Sequence, residues 1–400
     1  MRRRLLRILL ALIAVIATPL GILTFTAYDP PPEAPADVRC AGDQVTLRKG
    51  DAFTLVSWNI QFSASRKHQF FYDGGDVVQV PRADVDETLA AIAKALRALG
   101  PDLALLQEVD RGSDRTHRVD QLGPLLDALK DPCEVSAPYH RARFVPFPVP
   151  DFLGKVDMNL AVLSRFSMRQ AARVQLPLLK ESRIRQAFNL KRALLHAEVP
   201  VEGLSHPLAI AVTHLSAFSR GDGTLAEQVA VLEAWMSARP EGQPWILAGD
   251  LNLLPPGDDP KRLRVHSELF ADEVNPIERL LPRFQEIFGA RNQLDTENRT
   301  YLPFGYQEPD RKIDYVFYGG PIEVEEAEVL RRYSALSDHL PVRAVLRLGE
   351  AAGRPGDVRG GGGGSNGQNL PPPGVPPHER VPYHPSDPDS APSNIDTGTG

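Results

Sequence analysis

One pattern constrains this chain more than any other: short apolar runs keep ending in a side chain that can hold a proton or a cation. Phe53–Trp58 runs into Asn59, Leu103–Gln107 into Glu108, Leu208–Thr213 into His214, and Trp245–Gly249 into Asp250 with Asn252 two places on. Ile313-Asp314-Tyr315 sets an acid inside a further apolar strand, and Ser337-Asp338-His339 leads into the run from Leu340. Burying a lone carboxylate is costly. Several at strand ends are most simply explained by convergence on one solvent-open cleft that holds a cation.

Between 50 and 348 the hydrophobic period alternates. Strands are expected at Phe53–Trp58, Leu103–Leu106, Asn159–Leu163, Ala193–Val199, Leu208–Thr213, Trp245–Leu247, Ile313–Tyr318 and Pro341–Leu348. Asp86–Leu99 places Leu89, Ile92, Ala93, Leu96 and Leu99 near helical spacing before the Gly100-Pro101 stop, and a second helix is expected over Leu225–Ala238. Many strands with interspersed helices and long loops suggest an α/β protein in which sheet packs on sheet and helices cover the outside.

Both ends differ from this middle. Four arginines, Arg2, Arg3, Arg4 and Arg7, precede an uncharged apolar run from Ile8 to Ala27, which as a helix would be about 30 Å long and match a bilayer core. The spacing predicts an N-terminal anchor over 1–28, or a cleaved signal sequence; the arginines keep the amino terminus inside and either reading exports the rest. A proline-rich spacer is expected over 29–45, the globular domain over 46–349, and a Gly/Pro-rich disordered tail over 350–400. The formal charge of −6 includes the four leader arginines, so the remainder carries −10. That acidic body argues against strong non-specific binding to nucleic acid. Cys40 and Cys133 are the only cysteines, too few for a metal cluster, and could pair or stay free in an oxidising compartment.

Taken in order, the blocks SWNI, LLQE, MNLAVLSR, THL, GDLN, IDYVF and SDHLP resemble the endonuclease/exonuclease/phosphatase superfamily, the group that contains the deoxyribonuclease I, abasic-site endonuclease, neutral sphingomyelinase and inositol-polyphosphate 5-phosphatase families. The resemblance spans roughly Phe53–Leu348. It implies a four-layer α/β sandwich, with two packed sheets flanked by helices and a metal-dependent site at one mouth. It also implies Glu108 as principal Mg2+ ligand, or Mn2+ in its place, with Asn59 and Asp338 assisting directly or through water. His339 resembles the histidine that acts on the scissile phosphate, and Asp314 the carboxylate that orients it. Asp250 and Asn252 resemble the pair that orients the nucleophilic water, and His214 a donor to the phosphate or leaving oxygen. A phosphodiester repels anionic nucleophiles, which is why a cation and imidazoles are needed beside a carboxylate.

Two features depart from the family pattern. Asn159 stands where relatives usually carry glycine, and could set an amide near the cleft or alter a turn. Two loops, 61–84 with Phe70-Phe71-Tyr72 and 143–155 with Phe144, Phe147 and Phe152, are unusually aromatic. They either fold down onto the sandwich or border a site for a lipid-linked substrate, where Arg141, Arg143 and Lys155 would meet headgroup phosphate. The expected function is a membrane-anchored, extracytoplasmic phosphodiesterase acting on a lipid-headgroup phosphodiester in preference to nucleic acid. A deoxyribonuclease I-like nuclease and a catalytically silent tethered binding module are the alternatives.

Overall fold

The computed structural model describes residues 3–7, 10, 18, 21, 23–129, 132–217, 219, 221–271 and 275–349. Most of the apolar run expected to anchor the chain, and the whole tail over 350–400, lie outside the described residues. Among those described, no helix is long and apolar enough to cross a membrane.

Eleven main strands follow the chain: β1 (Ala52–Asn59), β2 (Leu103–Asp110), β3 (Cys133–Val145), β4 (Gly154–Ser164), β5 (Arg169–Gln175), β6 (Ala193–Val199), β7 (Leu208–His214), β8 (Trp245–Asp250), β9 (Asp314–Gly319), β10 (Ile322–Val329) and β11 (Val342–Leu348). They form two seven-stranded sheets. The first runs β10-β11-β1-β2-β4-β3 and ends on the short strand Arg39–Cys40; the second runs from the short strand Glu33–Pro35 through β5-β6-β7-β8-β9 to Gln285–Glu286.

Period-two alternation splits each strand between two cores. Phe53 and Leu55 of β1, Ile210 and Val212 of β7, and Ile246 and Ala248 of β8 meet between the sheets. Val56 and Trp58 face outward under the helix α1 (Arg82–Leu99) with Ile92 and Leu96. Ala209, Trp245 and Leu247 face outward under the helix α2 (Thr224–Ser237) with Val229 and Leu232. The layers are therefore helix, sheet, sheet, helix, as expected. α1 begins four residues before the expected Asp86, just after Pro81, and ends where Gly100 takes φ 56° and donates its N–H to Leu96 O at 2.9 Å.

Three strands escape the periodicity. β10 reads IEVEEAEV and is acid-rich because it lies at the open edge of its sheet. β3 and β5 carry register shifts that break the alternation. The segment 29–45 is corrected more substantially: it is no free spacer. Glu33–Pro35 pairs with β5, Arg39–Cys40 pairs with β3, and Cys40 is disulfide-bonded to Cys133. Prolines are tolerated there because the segment forms sheet edges. The bridge closes a loop of 93 residues, so Cys133→Ser is expected to lower unfolding free energy by about 2–5 kcal/mol. Denaturant titration checks this, and an unchanged midpoint would show the crosslink to be thermodynamically idle.

Candidate active site

Register alone brings the chemistry-bearing residues to one mouth of the sandwich. β1 and β2 run parallel with Asn59 opposite Gln107, and β7 and β8 run parallel with His214 opposite Asp250. β9 is antiparallel to β8 with Asp314 opposite Asp250, so its first residue lies where β8 ends. β11 is antiparallel to β1 with Val342 opposite Ser57, which returns Asp338 and His339 to the Asn59 end.

Local backbone features then aim the side chains. In β2, Leu106 pairs with Ala161 but Val109 pairs with Asn159, so a bulge inserts one extra residue. Glu108 sits in it at φ 59° and lines the cleft. Gly249 approaches β7 so closely that a Cβ there would lie 1.9 Å from Thr213 O, which excludes any other residue before Asp250. Ser337 locks the last loop: its Oγ donates to Asn59 O at 2.8 Å and accepts His339 N–H at 3.1 Å, while Trp58 Nε1 donates to His339 O at 3.0 Å.

Asp250 is the hub. Its Oδ2 lies 3.2 Å from Asn59 Nδ2, 3.2 Å from His214 Nε2 and 3.5 Å from His339 Nε2, and its Oδ1 accepts Asn252 N–H at 3.0 Å. His339 Nδ1 donates to Asp314 Oδ2 at 2.8 Å. Burial alone would neutralise this imidazole, but Asp314 and Asp250 on either side outweigh it and hold its pKa well above the ordinary value. His214 takes the opposite state: burial, with Arg192 and His339 nearby, pushes it well below. A neutral His214 donating from Nε2 to Asp250 leaves Nδ1 to accept from Tyr139 OH at 3.1 Å. Burial raises Asp250 to about 7, and burial with Glu108 and Asp73 close by raises Asp338 to about 7, each against the lowering effect of His339.

The eight residues singled out from the sequence are thus together, though not all as expected. Glu108, His214, Asp250, Asn252, Asp338 and His339 line one cavity of about 410 Å3, with Asp314 directly behind His339. Asn59 departs from the oxygen-ligand expectation. Its Oδ1 accepts Gln61 N–H at 3.0 Å, and its Nδ2 donates to Glu108 Oε1 at 3.0 Å as well as to Asp250. The amide therefore ties two carboxylates together instead of offering an oxygen. Asn252 donates its Nδ2 to Leu215 O at 3.2 Å. Asn159 stays in β4 and bonds Asp157. Tyr139 and Arg192 were missed, since neither stands at the end of an apolar run; only the tertiary packing sets Tyr139 against His214 and carries Arg192 to the cavity wall.

Comparison with known proteins agrees with this geometry. Residues 56–339 match the family model described as the Endonuclease/Exonuclease/phosphatase family. The chain belongs to that family. No curated protein matches it. Among solved structures it is similar to an endonuclease/exonuclease/phosphatase from Beutenbergia cavernae DSM 12333, at 23% identity over 75% of this chain and 72% of that one, with a TM-score of 0.52. It is also similar to the human Nocturnin catalytic domain, at 17% identity over 78% and 98% (TM-score 0.48), and to truncated Caenorhabditis elegans TDP2, at 19% over 75% and 98% (TM-score 0.44).

As a member of the endonuclease/exonuclease/phosphatase family the protein is a metal-dependent hydrolase of phosphoester bonds. The donor set fits a divalent cation. Asp250, Asp314 and His339 offer ligand atoms all within 4.8 Å of one another, and the half-buried Glu108 and Asp338 add hard oxygens with no lysine or arginine ion pair among the described residues. A pH dependence follows. Asp250 and Asp338 bind protons in the native state up to about pH 7, against an ordinary value of 3.8, so metal-free stability falls as pH rises across that window. His339 extends the fall above its ordinary 6.5, and His214, buried neutral, opposes it below 6.5 with one proton against two. A cation needs the ionised carboxylates, so the rise in melting temperature on adding Mg2+ is expected to grow from about pH 5 to about pH 8. Thermal unfolding with and without the ion measures it; a pH-independent rise would place the ion elsewhere.

Proposed function

We propose that the protein is a Mg2+-dependent phosphodiesterase acting on lipid-headgroup phosphodiesters at the outer side of a membrane. The observation that carries this reading is the largely apolar lining around the polar centre. Beside its acids and imidazoles the cavity is lined by Phe70, Phe71, Leu153, Phe188, Leu190 and Phe270. The apolar lining continues onto the surface: Phe71 packs edge-on against Phe147 at 5.6 Å, and Phe147, Val149 and Phe152 are 59%, 73% and 47% exposed. An apolar ramp leading from solvent to a phosphoester-cleaving centre suits an amphiphile better than a sugar-phosphate polymer. The Cys40–Cys133 bridge suits an exported protein. The leader supports the same placement, because Tyr28, at its end, lies over Arg141 at 5.5 Å on the strand that leads into the exposed loop.

The proton inventory supports an in-line displacement. Asp250, poised near neutrality, accepts a proton from the attacking water at Oδ2. His339, charged and oriented by Asp314, gives its Nε2 proton to the departing alkoxide oxygen. The proton then returns from Asp250 to His339 across the 3.5 Å gap between them. His214, fixed by Tyr139, stays neutral and donates a hydrogen bond without adding a second titrating cation. Glu108 and Asp338 would hold the Mg2+, which supplies charge to offset that of the phosphoryl oxygens.

The test is release of water-soluble headgroup from phospholipid vesicles and nicking of plasmid DNA, assayed in parallel with Mg2+ and with chelator. Chelator-sensitive headgroup release is expected. Cleavage of DNA alone would replace the lipid reading with a nuclease.

A further inference from the structure

Three guanidinium groups line the catalytic cavity: Arg115, Arg192 and Arg311. Two of them are neutralised within the protein. Asp110 holds Arg115 through two bonds of 2.9 Å, and Asp310 holds Arg311 through bonds of 2.7 and 3.0 Å. Arg192 differs. It is 8% exposed, ion-pairs with no carboxylate among the described residues, and keeps Nη1 buried without a hydrogen-bond partner; its neighbour is the Tyr139 ring, 5.4 Å from Cζ. A guanidinium presents five donors and cannot shed its charge. Burying it unpaired is unfavourable unless an anion completes it.

Its position indicates which anion. Arg192, with Asn189, Leu190 and Ala217, is shared between the catalytic cavity and a second groove of about 420 Å3. That groove is polar where the cavity wall is aromatic. Lys180, Arg185, Ser216, Ser219 and Gln228 line it, and Ser219 Oγ is a second buried polar atom without a partner among the described residues. Lys180 is engaged by Glu227 at 3.0 Å and by Asp222 O, while Arg185 forms no ion pair among the described residues. The cleft therefore has an apolar arm, a polar arm and an uncompensated cation where they meet.

We propose that Arg192 and the groove behind it form a second anion subsite, which receives a phosphate on the headgroup side of the scissile phosphodiester. The preferred substrates are then lipids whose headgroup itself carries negative charge. The substrate class rests on the lipid reading above; the subsite rests on Arg192 and Ser219 alone.

The full chain is assayed on phosphatidylcholine vesicles doped with cardiolipin, whose headgroup carries a second phosphate, or with phosphatidylglycerol, whose headgroup ends in a neutral diol. The wild type is expected to favour cardiolipin by on the order of 10-fold in kcat/KM, and Arg192→Gln to bring that ratio close to one. Binding of inorganic phosphate, measured by calorimetry without turnover, is expected to weaken by on the order of 10-fold in the same variant. If Arg192→Gln melts early, Arg192→Lys keeps the charge and is expected to retain part of both effects. A ratio unchanged by the substitution, or phosphate binding unchanged, overturns the subsite. If the wild type cleaves neither lipid, the lipid reading fails by itself and the phosphate titration still decides the subsite.

Discussion

Asp250→Asn is expected to lower kcat by on the order of 10³. The substitution is nearly isosteric, yet it reverses the chemistry at Oδ2. An amide nitrogen there would face Asn59 Nδ2, His214 Nε2 and His339 Nε2, all donors within 3.5 Å. It also removes a group whose proton affinity, near 7, suits acceptance of a proton from water at neutral pH. The Oδ1 bond from Asn252 N–H can persist, so the strand end keeps its shape. Steady-state kinetics with a melting curve of the same preparation is the measurement. A kcat within a few-fold of wild type, on an intact fold, would remove Asp250 from proton transfer.

His339→Ala is expected to lower kcat by on the order of 10² or more. The companion Asp314→Asn separates orientation from charge. Asp314 both fixes the imidazole, at 2.8 Å from Nδ1, and raises its pKa. With the carboxylate replaced by an amide, the imidazole loses its proton at lower pH. Activity requires the protonated form, so the alkaline limb of the kcat profile is expected to move toward acid, with a loss on the order of 10-fold at neutral pH. An alkaline limb that stays in place would show that His339 is not the acid, whatever the size of the kcat loss.

Much of this was legible in the chain because a strand's side-chain period is short and local. Apolar runs capped by Asn59, Glu108, His214, Asp250 and His339 announce strands that end in a polar cleft wherever those strands later pair. What periodicity could not supply were contacts made across the fold. The bulge that turns Glu108 into the cleft depends on the register between β2 and β4. Which face the Asn59 amide presents depends on Glu108 and Asp250, 49 and 191 residues away.

The edge strands show the same divide. The prolines of 29–45 read as a stiff spacer, but pairing with β5 and β3 and the bond to Cys133 make the segment part of both sheets. The aromatic loop 61–84 both packs and borders the cavity: Phe62 and Phe70 are buried, while Phe71 lines the cavity and meets the exposed Phe147.

The family, the layered fold and the eight residues that meet at its mouth can thus be read from the chain. These depend on local periodicity and on the order of short motifs, and the chain carries both without reference to its folded form. The charge state of each group, the partner of each amide and the isolation of Arg192 arise in the folded protein. Burial and through-space neighbours set those properties, and both come into being when distant strands pack together.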